Sequence, residues 1–358
     1  MIRVALHVIA GPQGGPRTYG VALARALARR TDIETIVLTD QPDAFPGMQA
    51  IPLPRPKPWS DHVTVPRILS KLKPDLYHNT KNAFPIYLPC PGVVTIHDLA
   101  YVHFPETFTP AARSYIKVHT LLGAKRAEKI ICVSEHARRD VADTLGVDDQ
   151  RIVVAHHGVA QEYRRESFDA PERLPKPYIL SVGTIQARKN LDVLVRAVAR
   201  LRKETDLEFT IAIAGRRGWK VKGFDEACKE TPVVVLGEVP DSDLPGLYAH
   251  AAAFVQPSSY EGFGLTAAEA MACGAPVIAA DAGSLPEVVG DTGLLVPPRD
   301  EAALAAAMRT LLEDREAAKT MGLEGRARAQ RFTWDKSAEV HARVYAEVAR
   351  KTQRVATT

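Results

Sequence analysis

A chain of 358 residues with 46 Lys+Arg, 42 Asp+Glu and 46% hydrophobic residues is too apolar for a disordered protein, and its 23 Gly and 4 Cys exclude a collagen-like or disulfide-framework chain. At ~150 residues per domain, the length suggests two domains, each able to bury its own core. The net charge of +4 is unevenly spread: residues 1–160 hold 19 Lys+Arg, 14 Asp+Glu and nine of the eleven histidines, which suits either a solvated basic face or an acidic acceptor or anionic membrane surface.

The N-terminal run Met1–Ala10 is short, is interrupted by His7 and lacks a small-residue cleavage site, so it reads as a first strand and not as a signal peptide. No run of 18 apolar residues follows. Cys90, Cys132, Cys228 and Cys273 lie far apart without metal-ligand spacing and read as reduced thiols of a cytoplasmic protein. Strands are expected at Val4–Ile9, Thr35–Leu38, Asp75–His78, Val93–Ile96, Lys129–Val133 and Ile152–Ala155, with helices Thr18–Arg29, Val63–Leu72, Ala111–Ala127 and Glu135–Thr144 between them. After the polar, proline-bearing stretch 160–177 the alternation resumes. Strands are expected at Tyr178–Val182, Phe209–Ala214, Val233–Leu236, Ala252–Gln256, Pro276–Ala280 and Gly293–Val296, with helices Leu191–Arg202, Leu244–His250, Thr266–Cys273 and Glu301–Leu312. A last amphipathic helix over Trp334–Arg350 should dock on a domain face.

Ligands of open α/β sheets gather beyond the carboxyl ends of the strands. There the sequence places Gly11–Arg17, a glycine-bearing turn before a helix, and His7, His78, His97-Asp98 and His156-His157 at one rim, of which His97 is the choice for a ligand contact. In the second half Gly183-Thr184-Ile-Gln-Ala-Arg188-Lys189-Asn190 sets two cations ahead of a helix start, an arrangement that favours an anion such as phosphate. Pro257–Gly274 sets Glu261 and Glu269 eight residues apart across a glycine-rich turn. Thr266-Ala-Ala-Glu269 fits a capping box, whereas Glu261 has no capping role. Asp241-Ser-Asp243 spells a possible metal-binding DxD, but its place before Leu244-Pro-Gly-Leu-Tyr favours helix capping.

Together with Thr95-Ile-His97-Asp98, Val133-Ser-Glu135, Ala214–Trp219 and Leu236-Gly-Glu-Val239, these motifs resemble the retaining glycosyltransferases of family 4 along almost the whole chain, most nearly the mannosyltransferase branch. The resemblance implies the GT-B fold: two Rossmann-like doubly wound α/β domains facing a cleft. An acceptor domain would span 1–165 and a donor domain 166–335, with a C-terminal helix and tail at 336–358 crossing back to the first. It implies that Gly14 and Gly15 lie against the donor sugar-phosphate, that His97 meets a sugar hydroxyl, and that Arg188 and Lys189 hold the diphosphate beside Gly183 and Thr184. Glu261, with the backbone of Phe263, Gly264 and Leu265, would hold the sugar, Glu269 the ribose hydroxyls, and Val239 would lie near the base. Family members retain anomeric configuration and form no covalent link to the protein.

The expected donor is a nucleotide-diphosphate sugar, GDP-mannose first and a UDP-sugar as alternative, with no metal or other cofactor. The acceptor would be a saccharide, glycolipid or small molecule, selected by loops such as 52–61 and 101–110. A peripheral membrane contact through the basic first half is a further expectation, and no aromatic-basic interleaving points to nucleic acid. A glycoside hydrolase or a non-catalytic sugar-nucleotide binder are the readings from other classes. A dinucleotide oxidoreductase is disfavoured by the absent GxGxxG.

Overall fold

A computed structural model describes residues 1–11, 15–54, 59–171, 174–218 and 221–356, with side chains through 351. The chain divides into two compact units, 1–158 with 333–358, and 159–332.

The first unit holds a seven-stranded parallel sheet in the order β3-β2-β1-β4-β5-β6-β7. Its strands are β1 (Ile2–Val8), β2 (Ile33–Thr39), β3 (Gln49–Pro52), β4 (Leu76–Asn79), β5 (Gly92–Ile96), β6 (Lys129–Cys132) and β7 (Ile152–Val154). The apolar runs of β1, β4, β5 and β6 are buried on both faces because helices cover both sides of the sheet. The main helices are α1 (Gly15–Ala28), α2 (Val65–Leu72), α3 (Pro110–Arg126) and α4 (Glu135–Leu145). Four-residue β3 escapes the sequence pattern: among the described residues it pairs with β2 alone, at the sheet edge, and does not alternate cleanly.

The second unit repeats the plan with six parallel strands in the order β10-β9-β8-β11-β12-β13. They are β8 (Tyr178–Val182), β9 (Thr210–Ala214), β10 (Val234–Gly237), β11 (Ala253–Gln256), β12 (Val277–Ala280) and β13 (Leu294–Val296). The helices are α5 (Leu191–Glu204), α6 (Lys222–Glu230), α7 (Leu244–Ala249), α8 (Leu265–Ala272), α9 (Leu285–Val289), α10 (Glu301–Glu313) and α11 (Arg315–Ala329). In each sheet the strand order reverses beside the first strand of the unit, at β1/β4 and at β8/β11. These are the switch points where a doubly wound sheet opens a crevice.

The last helix, α12 (Trp334–Ala356), belongs to the first unit, and a directed hydrogen-bond chain ties it there. His341 Nδ1 lies 2.7 Å from the Ser337 carbonyl, so it donates and Nε2 must accept the Tyr19 hydroxyl at 2.8 Å. Tyr19 then accepts from Thr95 Oγ1 at 2.9 Å, Thr95 from His78 Nε2 at 2.9 Å, and His78 Nδ1 from Tyr345 Oη at 2.6 Å. Burial holds His78 well below the ordinary histidine pKa, in keeping with the neutral ring this chain requires. Of the rim histidines, His78 thus belongs to the core network. His7 Nδ1 meets Tyr77 Oη at 2.8 Å, and the His157 ring packs against Tyr19 and Trp334.

Candidate active site

The loop after β8 begins at Gly183 and packs against Gly215, which follows β9 with φ +143°. A Cβ at 215 would stand 2.1 Å from the Gly183 carbonyl oxygen, so only glycine permits this approach. A single 3₁₀ turn, Ala187–Lys189, carries the cations. Asn190, at φ +50°, a left-handed value asparagine tolerates, then turns the chain into α5. Its amide donates to the Pro257 carbonyl at 2.9 Å and Ser259 Oγ at 2.6 Å, and the Ser259 N–H donates to the Arg188 carbonyl at 2.9 Å. The loop after β8 is thereby laced to the loop after β11, across the switch point.

Between these loops the charges converge. Lys189 pairs with Glu261 Oε1, and Arg188 Nη1 lies 3.2 Å from Oε2 and 2.8 Å from the Tyr260 carbonyl. The side chains are 14%, 16% and 9% exposed respectively for Lys189, Arg188 and Glu261. Gln256 Nε2 donates to Glu261 Oε1 at 3.1 Å, and Thr266 Oγ1 donates to Gln256 Oε1 at 3.0 Å. Burial alone would raise the Glu261 pKa, but the Lys189 ammonium, then the Arg188 guanidinium, outweigh it and hold the carboxyl well below the usual carboxylate range. The anion that two cations at a helix start call for is therefore already present, and it is Glu261. Its backbone is fixed too: Ser284 Oγ donates to the Glu261 carbonyl at 3.0 Å, and a Cβ at Gly283, φ +60°, would lie 2.7 Å from the Glu261 nitrogen.

The capping-box reading of Thr266 and Glu269 is overturned. Helix α8 starts two residues earlier than that reading needs, with Gly264 at φ +89° as N-cap and no side-chain cap bond. The Thr266 hydroxyl turns to Gln256, and Glu269 Oε2 accepts from the Tyr248 hydroxyl of α7 at 3.2 Å. Burial, with smaller contributions from Asp241 and Glu162 and against the Tyr248 bond, raises the Glu269 pKa to about 8. The unfolded chain releases this proton near pH ~4.3, so between that value and pH 8 the native state binds more protons. Stability should therefore fall as pH rises through the window and level off above it. Glu269→Gln, neutral throughout, should melt like the parent near pH ~4 and progressively above it toward pH ~8. Parallel melting curves across that range would refute the buried neutral acid.

Asp243 stands at the N-cap of α7 but makes no side-chain cap bond; its carboxylate accepts from the Ser242 hydroxyl at 2.9 Å instead. The capping role expected of the Asp241-Ser-Asp243 pair is thus not realised at Asp243, whose backbone (φ −93°, ψ −21°) is already helical where a capping residue is extended.

Gly14 lies outside the described residues, and Gly15 opens α1. His97 follows β5, buried, with Nε2 2.8 Å from the Thr80 carbonyl; burial lowers its pKa, against that bond and Asp98. The neutral ring thus carries its proton on Nε2 and its acceptor lone pair on Nδ1. Thr184 is half-buried after Gly183, and Val239 is half-buried on the loop after β10. Phe263 packs edge-on against Phe332 at 5.4 Å, and Leu265 is the first residue of α8. The structure thus brings Gly183, Arg188, Lys189 and Glu261 together, with Phe263, Gly264 and Leu265 in the turn that follows Glu261. Sequence reasoning gave no role to Gln256, Tyr248 and Arg299 and quoted Asn190 only as the end of the cation motif; Arg299 Nη1 reaches Asn190 Oδ1 at 3.3 Å. Only Gln256 carried a visible signal, a polar residue closing the apolar strand Ala253–Gln256.

Each unit is a doubly wound parallel sheet, the plan expected of the GT-B fold, and the second carries a half-buried cation pair on a glutamate at its switch point. The chain matches the family described as Glycosyltransferase Family 4 over residues 13–163 and Glycosyl transferases group 1 over residues 162–328. It is 34% identical over 298 residues to O-antigen chain mannosyltransferase B of Escherichia coli, covering 79% of this chain and 74% of that protein. The chain belongs to glycosyltransferase family 4. Solved structures of the same fold include sucrose-phosphate synthase from Thermosynechococcus elongatus, with TM-score 0.78, 24% identity and coverage of 97% and 99% of the two chains. Another is Anabaena Alr3699/HepE in complex with UDP-glucose, with TM-score 0.76, 19% identity and coverage of 97% and 100%.

Proposed function

We propose that this glycosyltransferase moves a hexose, mannose in the first instance, from a nucleotide-diphosphate sugar to an acceptor hydroxyl, with retention of configuration and without a metal. The observation that carries the reading is the pairing of Arg188 and Lys189 with Glu261 at the β8/β11 switch point. The donor diphosphate takes the place of the carboxylate on the two cations, which releases Glu261 to accept hydrogen bonds from the sugar hydroxyls. Glu269 meets the ribose and Val239 the base.

As the bond from C1 to the phosphate oxygen breaks, positive charge grows on the sugar and negative charge on the leaving diphosphate. Fixed cations at that diphosphate lower the barrier because they are strongest where charge develops. The acceptor oxygen bonds to C1 on the face the phosphate leaves, its proton passes to a phosphate oxygen, and nucleoside diphosphate departs. No protein nucleophile enters the balance.

Mannose is favoured by the likeness to the O-antigen mannosyltransferase; a UDP-sugar donor is the alternative, favoured by the fold shared with a protein solved with UDP-glucose. A thermal-shift panel of GDP-mannose, UDP-glucose and UDP-N-acetylglucosamine should show one clear stabilisation, undiminished by EDTA. No response to any nucleotide sugar would overturn the donor reading, and a response lost with EDTA and restored by manganese would overturn metal independence.

A membrane-facing role for the first unit rests on one surface. Among the described residues no helix is long and apolar enough to cross a membrane. Helix α3, however, carries four Lys or Arg and no carboxylate, and Val118 on it is more than half exposed, as are Trp59, Ile86 and Tyr87. The segments that carry them meet: His62 stacks on His119 at 4.9 Å, the Ile86 N–H reaches His62 Nδ1 at 3.3 Å, and Arg126 donates to the Ile86 carbonyl. Apolar tips set among cations fit an anionic bilayer surface. Co-sedimentation with phosphatidylglycerol vesicles, absent with phosphatidylcholine alone and reduced in Val118→Asp, is expected; equal recovery from both lipids would dismiss the contact.

A further inference from the structure

Gln256 closes β11 with only 3% of its surface exposed, yet both ends of its amide are engaged. The direction of each bond follows from chemistry. An ionised carboxylate only accepts, so Nε2 must face Glu261, and Oε1 then needs a donor, which the Thr266 hydroxyl supplies. Thr266 sits in the first turn of α8 and Gln256 at the end of β11, so the two elements that flank the Glu261 turn are joined through this one amide.

We infer that Gln256 is a positioning residue for Glu261 and that Thr266 acts through it, the relay holding the carboxylate in place once the donor diphosphate has drawn Arg188 and Lys189 away. The inference rests on the proposed role of Glu261. Two of the holds on the carboxylate are cations that the diphosphate takes over, and a side chain released from both would regain rotamer freedom when it must be still. A third cation would keep the carboxylate in place but compete for the phosphate and cancel the charge that binds sugar hydroxyls. A neutral amide does neither. It occupies Oε1 and leaves Oε2 to the substrate, and the threonine hydroxyl keeps the amide from turning its oxygen toward the carboxylate, where the two would repel.

The test uses the full-length protein and compares kcat, donor KM and the Kd of GDP and UDP alone. Gln256→Leu should lower kcat ~10- to 100-fold while leaving the nucleoside diphosphate Kd within about twofold of the parent. Thr266→Val should lower kcat ~3- to 10-fold, and Thr266→Ser, which keeps the hydroxyl, should restore it. Within Gln256→Leu, Thr266→Val should have no further effect on kcat, because the two act as one unit. Unchanged turnover in Gln256→Leu, or a full additive loss from Thr266→Val in that background, would overturn the relay. Where Gln256→Leu fails to fold, the valine and serine variants at half-buried Thr266 decide alone. Loss of turnover in Glu261→Gln with normal turnover in Gln256→Leu defeats only the relay, whereas normal turnover in Glu261→Gln defeats the reading of Glu261 beneath it.

Discussion

Lys189→Ala is expected to lower kcat by ~100-fold or more, the largest effect of any single truncation in the site. Its side chain is 14% exposed and, on the proposed donor reading, would face the leaving diphosphate; removing one fixed donor to developing charge in a water-excluded site costs ~10²- to 10³-fold. The folded state should lose less than breaking an isolated buried pair would cost, because Glu261 keeps Arg188 at 3.2 Å and Gln256 at 3.1 Å. A loss below about 3 kcal/mol in thermal or denaturant melts is expected beside the kinetic defect. Turnover close to the parent would remove Lys189 from the chemistry. Arginine at 189 should rescue only in part, since a planar fork does not replace a compact point charge.

Glu261→Gln is expected to be nearly as damaging to turnover, ~10²-fold in kcat, for a different reason: the amide keeps the volume but gives up the charged acceptor that the sugar hydroxyls would use. Here the kinetic loss should come with no loss of nucleotide binding, because the variant also removes the anion that competes with the diphosphate. Steady-state kinetics beside binding of nucleoside diphosphate separate the two. A variant that turns over normally would leave Glu261 as a structural counter-ion.

The architecture was legible because buried parallel strands are apolar on both faces and are bounded by helices of plain 3.6-residue period; the bounds of β8, the start of α5 and the run of β12 follow the hydrophobic pattern to within a residue or two. Elements without that pattern were not. Edge strand β3 buries too little, and α11 hides its contact face in small residues: a Cβ on Gly322 would lie 2.2 Å from the Gly274 carbonyl oxygen, so what marks that helix is close approach and not an apolar stripe.

At the site, Arg188, Lys189 and Glu261 could be picked out singly, from a helix start and a glycine-rich turn. That they pair could not, because Glu261 lies 72 and 73 residues beyond the two cations in sequence and meets them only when β8 and β11 lie side by side. Thr266 misled because a threonine three residues before a glutamate fits a cap equally well whether or not the preceding glycine starts the helix. The left-handed Gly264 decides that question, and no propensity scale contains it.

Calorimetric titration of GDP and UDP into the parent, Lys189→Ala and Glu261→Gln tests most directly whether a diphosphate takes the place of Glu261 on the two cations. For the nucleotide the enzyme uses, affinity should fall at least ~10-fold in Lys189→Ala and rise ~3- to 10-fold in Glu261→Gln, with both changes shrinking as salt is added. Parent-like affinity in both variants, or weaker binding in Glu261→Gln, would contradict it.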